Sequence, residues 1–211
     1  MRPQAQSADE QTRLTVHKQT IDRYLRYILI RCTAYTNDRT LAERIAVYTL
    51  ITTCLLSDKL RRIGDLGVVM DTMVHMIGED QVENLKTGNS NLKTEEDGAP
   101  VFLLDDRMCE VAGAINGLNQ LERELLVLHH IEGIETAALA DIHKMSHTRI
   151  EKAIAKAERQ LVELLRGMSS WDHEIEPDVH SLLNDFAACL DVHWVQSLGV
   201  YVLHYLADHS W

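Results

Sequence analysis

Three features predict an all-helical fold. Apolar residues recur every three or four positions over long stretches, which lines up one face of a helix with 3.6 residues per turn. Only 3 Pro and 10 Gly interrupt 211 residues. Aromatic residues make up 5% of the chain, too few for the many short strands of a sandwich or barrel. The architecture expected is all-α, with two small helical domains followed by a C-terminal helical pair.

The first helix is marked by Ile21, Leu25, Ile28 and Leu29. A second is expected from Arg39 to Leu56, introduced by the turn-like Asn37-Asp38, and a third from Leu66 to Ile77. These make a first domain over residues 14–77. Residues 78–102 are polar and rich in Gly, Asn, Ser and acids, so they read as a linker. A second domain, 103–166, holds helices at about 103–117, 119–132, 135–144 and 147–166. Gly133 is placed to end the second of these in a left-handed conformation, and Ser146 to cap the start of the fourth. In the fourth, Ile150, Ile154, Ala157 and Leu161 share one face. A short helix, a turn and a longer amphipathic helix form the helix-turn-helix pattern. The extension 168–211 offers two further amphipathic helices, built on Val179, Leu182, Leu183, Phe186 and Leu190, then Trp194, Val195, Leu198, Val202 and Leu206.

Charge is unevenly distributed. Residues 1–77 carry +3, residues 78–105 carry −5, residues 106–167 carry −2, and residues 168–211 carry −7 with no Lys or Arg. A protein that grips DNA usually presents a basic face, because phosphate neutralisation supplies much of the affinity. Only the first segment is basic here, and weakly. No apolar run approaches the ~18 residues that span a bilayer, and the polar N-terminus lacks the apolar core of a secretory signal. Cys32, Cys54, Cys109 and Cys189 are scattered, so they are expected to be reduced, buried thiols of a cytoplasmic protein.

The chain has no phosphate-binding loop, dinucleotide fingerprint, HExxH or GxSxG motif. No catalytic residue and no cofactor is therefore expected, and the protein is not read as an enzyme. Of 11 histidines, His143 and His147 have ligand-like spacing, but the expected turn separates them. His129 and His130 are adjacent and diverge, so no metal site is expected.

The stretch Gly133–Ile150, GIETAALADIHKMSHTRI, resembles region 4 of extracytoplasmic-function sigma factors, which reads roughly G-L-S-x-x-E-I-A-x-x-L-G-I-S-x-x-T-V. Upstream, Leu118 to Arg123 fits that family's L-P-x-x-x-R. The segment Asn37–Leu50 is similar to part of region 2, with Ala42, Glu43, Ile45 and Thr49 in agreement. The likeness covers about residues 14–166, and the extension 168–211 has no counterpart in a minimal family member.

The resemblance implies two sets of site residues. Glu43, Arg44, Val47 and Tyr48 lie on the helix that the family uses to meet the polymerase clamp, mostly with Asp, Gln and Glu. Arg149, Lys152, Lys156 and Arg159 remain basic on the implied DNA-recognition helix, with Glu151, Ala153 and Glu158 replacing bases. Residues 66–76, aligned with the promoter-opening helix, contain no aromatic residue, Lys or Arg. Such degenerate contacts are similar to those of sigma-mimicking response regulators, whose sigma-like domain binds an anti-sigma factor instead of DNA. The expected partner is an anti-sigma factor or RNA polymerase core, with promoter DNA weak or absent and no membrane. The alternatives are a divergent sigma factor that binds core and promoter, and an unrelated helical scaffold. The acidic extension is expected either to enlarge the core or to cover the recognition helix.

Overall fold

A computed structural model describes residues 3–57, 63–86, 104–168, 178–190 and 192–209. The described residues are helical throughout, apart from turns and caps. Helix α1 (Pro3–Cys32) is the axis of the molecule. Tyr24, Leu25 and every residue from Tyr27 to Ile30 are buried. Over this stretch the helix is buried on almost every side, so it must be enclosed by others. It is enclosed by α2 (Arg39–Ser57), α3 (Ile63–Lys86) and the C-terminal helix α9 (Val192–Asp208), and on another side by α4 (Asp106–Gly117).

Asp38 starts α2 as expected: its carboxylate accepts the Leu41 amide at 2.8 Å. Asn37 forms a reciprocal pair with the Leu104 backbone at 2.7 and 2.9 Å, which ties the start of α2 to the start of α4. Helix α3 runs further than the sequence suggested. Residues 78–86, assigned to the linker, are its last turns. Their Glu, Gln, Leu and Lys favour helix, and the turn-forming cluster begins only at Gly88. Gly78 stays helical because α3 crosses the Tyr35 ring there; a β-carbon would lie 2.6 Å from that ring. Residues 87–102, the rest of the expected linker, and residue 103, expected to begin the next helix, lie outside the described residues.

The helix expected at 119–132 is divided. An α segment, α5 (Gln120–Leu126), passes into a π segment, Val127–Ile131. Gly133 then closes the element in the left-handed conformation anticipated for it, with φ 67°. Helix α6 (Thr136–His143) and helix α7 (His147–Arg166) follow, separated by Lys144, Met145 and Ser146. Ser146 occupies the N-cap position, although its side chain makes no capping hydrogen bond.

The two modules expected on either side of the polar segment share one core among the described residues. Helix α1 packs on α4 and the π segment, and α3 packs on α5 and α6. Continuous apolar contacts link Ile28, Met70 and Val74 with Leu125, Leu139 and Ile154. The C-terminal pair joins the same core. Helix α8 (Val179–Cys189) lies on the π segment and α4, while α9 lies on α1 and α2. All the apolar residues predicted to face inward in this pair are buried or half-buried.

Two expectations need correction. The described residues of the extension do not cover the basic face of α7, whose Arg149, Lys152, Lys156 and Arg159 stay exposed. Its apolar stripes instead fill the space beside α1, where Gly199 brings α9 against Ile21 and Leu25. Not every cysteine is buried: Cys32 and Cys54 are, Cys109 is half-buried and Cys189 is exposed. No single helix among the described residues is long and apolar enough to cross a membrane.

Candidate interaction surfaces

On α7, Ile150, Ile154, Ala157, Leu161 and Leu165 form the buried stripe. Arg149, Lys152, Lys156 and Arg159 follow at i, i+3, i+7 and i+10, so they share an arc of roughly 80° on the opposite face. All four are exposed. They are not equivalent. Lys156 Nζ lies 2.5 Å from the buried carboxylate of Glu122 on α5, so it is committed to a bond within the fold. The two interspersed acids are turned aside. Glu158 accepts from His130 at 2.9 Å, and Glu151 pairs with His147 at 3.3 Å. The face therefore presents three uncommitted cations, Arg149, Lys152 and Arg159.

The turn before α7 has a notable backbone. Lys144 adopts the left-handed conformation, φ 52° and ψ 42°. It stands at the position where the sigma pattern has Gly, the residue that occupies this conformation at least cost.

On α2, the four candidate contact residues separate. Glu43 is drawn into the fold. It accepts a hydrogen bond from the Trp194 indole of α9 and pairs with Arg39 at 3.5 Å, and the Arg39 guanidinium lies 4.4 Å over the Trp194 ring. Val47 packs against the core edge. Arg44, Tyr48, Ile51 and Leu55 fall at i, i+4, i+7 and i+11 along the outer face. Tyr48 is 60% exposed and Leu55 57% exposed, while Arg44 is half-buried and Ile51 packs against the core edge. Between residues 67 and 80 the outer face of α3 carries Val68, Thr72, His75, Met76 and Glu79, with no Lys or Arg.

Between these surfaces lies a buried polar seam that sequence reasoning missed. Asp71 of α3 accepts from Tyr27 at 2.8 Å, Arg31 at 3.0 Å and Arg123 at 2.6 Å. Arg123 also donates to the carbonyls of Asn116 and Leu118, which end α4. Asn116 reaches back to the Ile30 carbonyl and Thr33. Arg26 pairs with Glu132 at 3.1 Å. Glu124 accepts from Tyr24 at 2.9 Å. Burial pushes the Glu124 carboxyl up to about 7, and nearby Asp71 adds to this, while Tyr24, Arg123 and Arg23 oppose it. One signal was available: Glu122-Arg123-Glu124 interrupts an apolar helix with three consecutive charges, all of them buried. Comparison of the chain with family models, curated proteins and solved structures finds no match.

His143 ends α6 and His147 starts α7, so the turn separates them as expected, whereas the His129 and His130 rings do not diverge but pack edge to face with centroids 4.8 Å apart. Among the described residues no group of three or more His, Cys, Asp or Glu is arranged to hold a metal ion.

Proposed function

We propose that this chain regulates bacterial transcription initiation through protein contacts made by a sigma-factor-like scaffold, with an anti-sigma factor or a similar helical protein as partner. The observation that carries this reading is the outer stripe of α2. The resemblance assigns that helix to polymerase contact, through acids and amides. Here the exposed positions are Tyr48 and Leu55, with Arg44 and Ile51 half-buried along the same stripe, a seam suited to an apolar helical partner. Two further features support it. Between residues 67 and 80, the described part of its outer face, helix α3 offers no aromatic residue, Lys or Arg to hold an opened strand. The basic face of α7 is reduced to three uncommitted side chains.

Affinity capture from native cytoplasm, with the bound proteins identified, tests the reading. An anti-sigma factor should be retained by the intact chain and lost with Tyr48→Asp and Leu55→Asp. Capture of neither an anti-sigma factor nor polymerase core would leave the unrelated scaffold as the better account.

The second reading is a divergent sigma factor. Arg149, Lys152 and Arg159 favour it, exposed together on one face of α7 after a turn with a left-handed residue. Run-off transcription with native core enzyme separates the two. Productive initiation that depends on these three side chains would establish the second reading and overturn the first.

A further inference from the structure

We infer that Glu124 and His143 form a proton-controlled latch between the first three helices and the α5–α6 segment. The geometry places Glu124 where four elements meet. Its side chain extends from α5, Oε1 accepts from Tyr24 of α1 at 2.9 Å, and Oε2 lies against Gly67 of α3. A β-carbon at Gly67 would overlap Oε2, so any larger residue there would have to displace the Glu124 carboxylate. His143 of α6 closes the fourth side. Its Nε2 is buried, has no hydrogen-bond partner, and lies 3.9 Å from Glu124 Oε1.

Among the described residues, the charged and titratable groups around the pair are Arg23, Tyr24 and Tyr27 on α1, Asp71 on α3, and Arg123 on α5. Asp71 repels a second carboxylate. Tyr24 gives Oε1 one hydrogen bond, and Arg123 is already engaged with Asp71 and two carbonyls. A neutral Glu124 therefore fits this seam and an ionised one does not. On ionisation the carboxylate must either draw a proton onto His143, closing the 3.9 Å gap, or admit water between α3 and α5.

The sign follows from linkage. The folded carboxyl holds its proton to about pH 7, whereas an exposed one releases it near its ordinary 4.5. The closed seam is favoured below that range and weakens as pH rises through it, by up to about tenfold in the opening equilibrium per pH unit. It levels off above 7. On the acidic side burial and Arg23 keep His143 neutral, so its protonation below 6.5 opposes closure there.

Hydrogen exchange of the full-length protein at the α3 amides of Met70 and Val74 reads the latch, after correction for intrinsic exchange. Protection should fall up to about tenfold per pH unit between about 5 and 7 in the native sequence, relative to Glu124→Gln. Carboxyl carbon resonances provide an independent reading in the unaltered protein, should Glu124→Gln fail to fold. Glu124 should titrate near neutrality, and higher still in Tyr24→Phe. Titration in the ordinary carboxyl range would overturn the inference, as would α3 protection that does not change while Glu124 ionises.

Discussion

Arg123 Nη2 lies 2.6 Å from Asp71 Oδ2 and joins α5 to α3, with both side chains largely shielded from water. The same guanidinium caps the carbonyl end of α4. Removing Arg123 leaves Asp71 with Arg31 as its remaining counter-charge and strips the α4 carbonyls of their donor. Arg123→Met should cost about 1–3 kcal/mol, measured by urea denaturation. The double variant Arg123→Met with Asp71→Leu should lose more than the single one, because Arg31 then lacks its carboxylate. A double variant that recovers stability would show that the residual charge of Asp71, and not the network, sets the cost.

Lys144 carries a left-handed backbone that glycine adopts freely. Lys144→Gly should therefore stabilise the protein by about 1 kcal/mol, read as a higher thermal midpoint. The converse holds at Gly133, φ 67°, where Ala should destabilise by a similar amount. If Lys144→Gly destabilises, its long side chain contributes more than the strain.

Helix α9 shields Ile21 and Leu25, and α8 buries Leu182, Leu183 and Phe186. Deleting residues 168–211 should abolish the cooperative unfolding transition instead of unmasking α7. Phe186→Ala alone should cost about 3–5 kcal/mol. A truncated chain that unfolds at the same denaturant concentration as the full protein would show that the pair is dispensable.

Three uncommitted cations on α7 limit any DNA affinity. The slope of log affinity against log salt should be no steeper than about −3, at −0.9 per phosphate. Glu122→Gln frees Lys156 and should steepen the slope by about one unit. Filter binding across a salt series measures this, and an unchanged slope would mean that Lys156 is already available.

Burial holds His130 below its ordinary 6.5, and the neighbouring His129 and His180 add to this, while Glu158 opposes it. The unfolded chain takes up the proton first, so this site destabilises the fold as pH falls below 6.5. Thermal midpoints of the native sequence should drop more steeply than those of His130→Gln between pH 6.5 and 5. Parallel curves would remove His130 from the account.

Much of the fold was legible because amphipathic periodicity is local. The inward residues of α7, α8 and α9, the Asp38 cap and the left-handed Gly133 all follow from interactions within a few positions in sequence. The end of α3 was misplaced because composition marks where turns are favoured, whereas the helix continues until they begin, near Gly88. Glu43 and Tyr48 show the limit for the candidate site. The two residues lie five positions apart on one helix. Only the arrival of Trp194 from α9 decides that the first is engaged within the fold and the second is free.

The sequence by itself determined that this protein is helical, where most helices lie, and which face of each is apolar. Those properties depend on residue type and spacing along one segment. Tertiary structure alone decided that the segments on either side of 78–102 share a core, that the C-terminal pair packs on α1, α2, α4 and the π segment, and that Lys156 is tied to Glu122. It also decided that Asp71, Arg123 and Glu124 are buried together. The reason is physical. A charged residue on a helix surface has the same local pattern whether it meets water or another helix, and only the packing of distant segments distinguishes the two.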